Sequence, residues 1–194
     1  MLQLITYPHP TLRFASQPLV RVDAALREMI EQMFEIMYEN RGVGLAANQV
    51  NLPLRMFVAN PTGEKESGEE LVFLNPVIRK SNGSAESDEG CLSLPGIHAP
   101  VKRNKSVHVK AYSITGQEID LHAEGFLARI IQHEIDHLDG VLFIDRVYPE
   151  TQRVILDELN GFVSTHESKQ KHGLIPSDQV LSEQREEWLA RYCR

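Results

Sequence analysis

Cysteine is scarce in this chain. Cys91 and Cys193 are the only two, so at most one intrachain disulfide can form and a disulfide-dense scaffold is excluded. A basic excess is missing as well: 20 Lys and Arg stand against 27 Asp and Glu, a formal net charge of −7. A phosphate-tracking surface normally needs the opposite balance, which argues against a dedicated, sequence-specific nucleic-acid binder. No stretch approaches the roughly 18 uncharged apolar residues of a membrane span. The opening MLQLITYPHPTLR has neither the basic start and apolar core of a signal peptide nor an Arg- and Ser-rich leader. These absences point to a cytoplasmic protein with no membrane partner, where a thiol stays reduced and free to act as a ligand or nucleophile.

What is present is globular in composition: 194 residues, 42% hydrophobic and 24% charged, enough for one domain with a sizeable core. Prolines 8, 10 and 18 make the opening to Val22 extended chain and turns. From Asp23 to Asn40, Leu26, Met29, Ile30, Met33, Phe34 and Met37 recur at helical spacing, with Asp23 placed to cap. Strands are expected over Leu54–Ala59, over Leu71–Leu74 (closed by Asn75-Pro76), through the alternating Val107–Tyr112, and around Ile119 and Leu121; Thr62–Glu70 reads as a surface loop. A second helix runs from Gly125 to about Asp139 and ends at Gly140. Val141–Ile144 reads as a strand, Glu150–Leu159 as a helix, Ser164–Pro176 as a polar linker and Ser177–Tyr192 as a final helix. Strands and helices are mixed without βα alternation, which gives an α+β fold, with antiparallel or mixed sheets around a central helix and further helices at both ends.

The central helix carries His133-Glu134-Ile135-Asp136-His137, an H-E-x-x-H pattern. At about 100° per residue the two histidines lie within about 40° of each other, on the same stripe as Phe126 and Ile130. A metal ion satisfies both imidazoles at once, and Glu134, about a quarter-turn away, can reach a water on that metal without binding it. Two histidines do not complete a catalytic site, which usually takes three protein ligands. The longer pattern that adds a third histidine ends here on Phe143, which cannot bind metal. Two candidates remain: a carboxylate about twenty residues on, Asp157 or Glu158, as in a metallo-endopeptidase, or the thiol of Glu89-Gly90-Cys91-Leu92-Ser93, in a loop setting. A third block, Gly42-Val43-Gly44-Leu45-Ala46-Ala47-Asn48-Gln49, lacks the Lys-Ser/Thr ending of a phosphate-binding loop. Its glycines allow close backbone approach, and Gln49 offers an amide donor for a developing oxyanion.

These three blocks together resemble the peptide deformylase family, whose motifs are G-x-G-L-A-A-x-Q, E-G-C-L-S and Q-H-E-x-D-H. The likeness covers about residues 1–160 and includes Tyr7-Pro8-x-Pro10-x-Leu12-Arg13 and Gly140-Val141-Leu142-Phe143. It implies a catalytic domain over 1–160, with 161–194 as an extension of linker and helix. The activity implied is hydrolytic removal of the formyl group from the N-terminal formyl-methionine of new proteins, with release of formate. Cys91, His133 and His137 would be the metal ligands, and Glu134 the base and then the acid as hydroxide on the metal attacks the formyl carbon. Gln49 and the Leu92 N–H would form the oxyanion hole. Val43, Gly44 and Gly90 would pair with the substrate backbone, with Phe126 and Ile130 beside the methionine side chain. Glu89 and Arg103 would support the site as an ion pair. The resemblance carries Fe2+ as the ion, with Zn2+, Ni2+ or Co2+ able to replace it. It also implies formyl-Met nascent chains as substrates, transient work at the ribosome in a bacterial cytoplasm, and a monomer or homodimer. Asn48 departs from the family's more frequent Thr or Pro, and little effect is expected of it.

Overall fold

A computed structural model describes residues 1–194. Helix α1 (Ala24–Glu39) forms where its spacing puts it: Asp23 caps it, accepting from the Leu26 N–H at 2.8 Å, and the whole Met-rich stripe is buried. That stripe packs with Leu45, Val50, Leu54, Met56 and Val58 as one layer of core.

Five antiparallel strands form the main sheet in the order β1 (Gly44–Ala46), β2 (Met56–Ala59), β3 (Leu71–Asn82), β6 (Ser106–Tyr112), β7 (Glu118–Glu124). Helix α2 (Gly125–Leu138) lies on it, burying Ala128, Ile131, Ile135 and Leu138 against Phe57, Phe73, Val107 and Val109. A separate two-stranded ribbon, β4 (Ala85–Gly90) with β5 (His98–Arg103), packs with the N-terminal arm and the start of α3 (Pro149–Lys171) around Leu12, Phe143 and Ile155. The architecture is α+β, and α2 sits among all of these parts.

Four local expectations change. Val141–Ile144 is no strand: Phe143–Asp145 is a turn of 3-10 helix, held by the Asp145 carboxylate on the Leu142 N–H at 2.8 Å. Glu89-Gly90 is not loop but the end of β4, which the polar run Ala85–Gly90 had concealed. β3 does not stop at Asn75-Pro76. A bulge between Leu74 and Val77 absorbs the proline, and the Asn75 amide ties both the N–H and C=O of Leu19. Finally, most of the expected linker is helix, because α3 continues to Lys171.

The last helix, α4 (Asp178–Tyr192), is capped by Ser177 and folds back over the Pro10–Arg13 turn, its end reaching the start of α1. Tyr192 is fully buried there and donates its hydroxyl to Asp23 Oδ1 at 3.0 Å. Burial of that side chain contributes about 2–3 kcal/mol.

His9 begins the 3-10 turn Pro10–Arg13, its Nδ1 accepting from the Thr11 N–H at 3.3 Å. Burial, and then the charges of His166 and Arg185, hold its pKa down to about 4. The unfolded chain therefore binds a proton between about pH 6.5 and 4 that the folded chain refuses. Stability from this residue is complete above about 6.5 and is lost as pH falls toward 4, by about 2–3 kcal/mol. Urea unfolding at pH 7 and pH 5 is expected to show a smaller pH-dependent drop in His9→Gln than in the parent chain. An identical drop in both would remove His9 from the acid limb.

Candidate active site

The two histidines of α2 come one turn apart, their ring centroids separated by 4.9 Å. Cys91 reaches them because β4 delivers the chain to α2 and a turn follows, the Leu94 N–H donating to Cys91 O at 3.0 Å. Cys91 Sγ lies 3.2 Å from His137 Nε2, and one donor atom from each of Cys91, His133 and His137 lies within 4.8 Å of the other two. A tetrahedral ion with bonds of about 2.0–2.3 Å would draw such donors together by small side-chain rotations. Asp157 and Glu158 are exposed on α3 and do not belong to this group; α3 turns Ile155 inward and those carboxylates outward. Glu158 instead borders a cavity of about 760 Å³ between α3 and the N-terminal arm.

The electrostatics fit a cation. Burial alone would lower His133, yet hydrogen bonds to Cys91 and Glu89 raise it to about 10. His137 is driven well below its ordinary value by burial and by the charge of His133 beside it. The two neighbouring rings therefore do not both hold a proton. The donor set, one thiol and two imidazoles, suits a borderline divalent ion. His133 Nδ1 faces Glu89 Oε2 at 3.1 Å, which leaves Nε2 as its free donor.

Glu89 is anchored in turn. Arg103 grips it through Nε at 2.6 Å and Nη2 at 2.9 Å, and Arg129 adds a third contact while holding Val101 O and Ala85 O. Burial pushes the Glu89 carboxyl up, but His133 and Arg103 outweigh it and hold it at about 2. Arg103 also reaches Asp136 at 2.7 Å, and Arg146 clasps both oxygens of Asp136 from the surface side. Glu89, Arg103 and Asp136 are all buried, so deleting Glu89 leaves the Arg103 and Arg129 charges short of their partner, at a cost of about 3–5 kcal/mol.

Asp136, Arg129 and Arg146 were not singled out by the sequence. Asp136 had a signal: a second carboxylate, besides Glu134, inside the buried stretch Ile130–Leu138. Asn48 is also more than a neutral departure. It is fully buried and donates to the backbone oxygen of His137, tying the Gly-rich segment to α2.

Glu134 is 3% exposed, and its Oε2 has no protein partner. Burial raises its carboxyl to about 7 against the pull of His133 and Arg103. Glycine leaves room for it: a Cβ on Gly44 would stand 2.5 Å from Glu134 Oε1 and 3.0 Å from Ile130 Cγ2, so the carboxylate would have to shift. Gln49 accepts from the Ala46 N–H at 2.8 Å, which aims its Nε2 to 3.5 Å from Cys91 Sγ and 3.3 Å from Ser93 Oγ. The Leu92 N–H donates to no acceptor within the protein.

A cleft of about 480 Å³ opens over these atoms, with Val43, Gly90, Leu92, Phe126, Ile130 and Glu134 in its walls. Phe126, expected on the buried stripe, is 55% exposed and lines the cleft from the first turn of α2, whereas Ile130, one turn on, is buried at 3%. β1 is an edge strand, and the Asn60 N–H on Val43 O makes Val43 and Asn60 a hydrogen-bonded pair. By alternation the peptide groups of Gly44 then point away from β2, toward the cleft.

Residues 1–153 match the model of the polypeptide deformylase family. The peptide deformylase of Rhodopirellula baltica is 50% identical over 191 residues, 98% of this chain and 95% of that protein. The chloroplastic/mitochondrial peptide deformylase 1B of Arabidopsis thaliana is 40% identical over 185 residues, 95% of this chain and 67% of its own. Among solved structures, the Arabidopsis thaliana enzyme in complex with an inhibitor superposes with a TM-score of 0.82 at 39% identity, covering 91% of this chain and 97% of that one. Plasmodium falciparum peptide deformylase gives 0.83 at 37% identity, covering 86% and 98%.

Proposed function

The chain belongs to the peptide deformylase family, hydrolases of protein biosynthesis that remove the N-terminal formyl group, and from that premise we propose the following division of labour among its residues. Cys91 Sγ and the Nε2 atoms of His133 and His137 hold one divalent ion, Fe2+ by family likeness, with Zn2+, Ni2+ or Co2+ able to stand in. When bound, that ion supplies Lewis acidity for the formyl oxygen and for the attacking water. Glu134 accepts the proton of that water and returns it to the leaving amine. Gln49 Nε2 and the Leu92 N–H donate to the formyl oxygen as charge builds on it, each worth about 3–4 kcal/mol in reactions of this type. Gly44 and its neighbours, Val43 on one wall and Gly90 on the other, take the substrate as an added strand. Ile130 and Phe126 flank the methionine side chain. Glu89, held by Arg103, fixes the ring of His133.

The observation that carries this reading is the convergence of three donor atoms with a buried, half-unpartnered carboxylate at the free edge of β1. Protein purified without oxygen is expected to release formate from a formyl-Met peptide in proportion to its bound metal. Metal-replete protein that releases none would overturn the reading, and cleavage of internal peptide bonds would favour an endopeptidase instead.

Gly44→Ala tests the positioning of Glu134 separately from the chemistry. Its added methyl group must displace that carboxylate, and a misplacement of about 1 Å costs about 100-fold in rate. The expected result is a fall of that order in kcat/KM with metal content unchanged. A severalfold loss would show that Glu134 tolerates the shift.

A further inference from the structure

The face of the sheet turned away from α2 carries a second group of metal-ligating side chains. Val107, Val109, Ala111 and Ala123 are buried on the α2 side of β6 and β7, so His108, Lys110, Asp120 and His122 stand on the opposite face. The antiparallel register sets His108 directly across from His122, and Lys110 across from Asp120. Opposed and diagonal side chains are within reach of each other on such a ribbon. Here they meet. One donor atom from each of His108, Asp120 and His122 lies within 4.8 Å of the other two, and the imidazole rings stack with centroids 4.1 Å apart.

Ion pairing alone accounts for only part of this. His108 Nε2 contacts Asp120 Oδ1, and Lys110 Nζ lies 3.1 Å from the other carboxylate oxygen. Those contacts use Asp120 and His108 and leave both ring nitrogens of His122 to solvent. We infer that His108, Asp120 and His122 form a second divalent-cation site, separate from Cys91, for borderline transition ions such as Zn2+, Ni2+ and Cu2+. Two imidazoles and one carboxylate are the donor types these ions select over Mg2+ or Ca2+. The ion takes the place between His108 and Asp120, and the exposed His122 ring turns about its side-chain bonds to add a third donor. Lys110 keeps its grip on Oδ2 and so holds Oδ1 toward the ion. With Lys110 so near, and Lys80 across from His108 on the β3 side, affinity is micromolar rather than nanomolar. β7 closes the sheet at this end, so the ion fastens an edge strand to its only neighbour.

Zn2+ is the probe, added to protein already carrying one equivalent of metal at Cys91. Equilibrium dialysis at micromolar free Zn2+ is expected to give a second equivalent, accompanied by shifts in the ring-nitrogen NMR signals of His108 and His122. His122→Ala is expected to weaken that second binding at least tenfold, and His108→Ala/His122→Ala to abolish it, with formate release unchanged in both. Zn2+ is also expected to raise Tm in the parent chain and not in the double variant, since a ligand of the folded state alone stabilises it. Uptake of no second equivalent by the parent chain, or a second equivalent that persists in the double variant, overturns the inference.

Discussion

Glu134→Gln is expected to lower kcat for a formyl-Met peptide by about 10³-fold, within the roughly 10²–10⁴ that a positioned acid or base contributes, while KM and bound metal stay near those of the parent. The change is nearly isosteric, so the cleft and the contact with Gly44 are kept. What goes is the ability to take a proton from water and pass it to the amine. Glu134 is buried with Oε2 unpartnered, and burial lifts its carboxyl to about 7. Holding such a group in place opposes folding. The same substitution is therefore expected to raise stability, by about 1 kcal/mol, visible as a higher urea midpoint. A variant that gains stability but loses only a few-fold in kcat would move the proton route to another residue.

Cys91→Ala is expected to remove metal and activity together. Partners one layer behind the ligands typically cost about 10–100-fold in metal affinity when changed, and a direct thiolate ligand costs more, about 10³-fold or beyond. His137 Nε2 then loses its neighbour at 3.2 Å, and His133 loses the thiol that helps hold its proton. Metal analysis of the purified variant beside its formate release checks this. Asp157→Asn and Glu158→Gln, on the exposed side of α3, are the matched comparison and should change neither quantity. Metal retained in Cys91→Ala and lost in a carboxylate variant would return the site to the endopeptidase arrangement.

The sequence made the two buried helices readable because each carries its apolar face in plain repetition, from Leu26 to Met37 and from Ala128 to Leu138. The pairing of His133 and His137 on α2 was readable for the same reason, since they repeat with the turn. The parts that escaped are those where burial falls on polar residues. β4 reads Ala-Glu-Ser-Asp-Glu-Gly, with no apolar alternation, because its inward position is Glu89, neutralised by arginines distant in sequence. The inward stripe of α3 begins with Ile155, Leu159 and Phe162 but continues with His166 and Gln170, so hydrophobic periodicity stops a full two turns before the helix does. Asn48 and Asp136 escaped because their partners come from elsewhere in the fold, the oxygen of His137 for one and the guanidiniums of Arg103 and Arg146 for the other, and such pairing leaves little local pattern.

If substrate adds to the sheet as proposed, the shortness of β1 sets how much of it can be read. Three residues of extended edge span about 10 Å. A guest chain pairing there is gripped by its main chain over two or three positions, and nothing in that grip distinguishes one side chain from another. Selectivity in that arrangement would rest mainly on the formyl group and the first side chain. In that arrangement breadth of substrate would be a property of the edge itself, with chains of varied sequence accepted beyond their first residue at the expense of tight binding to any one of them.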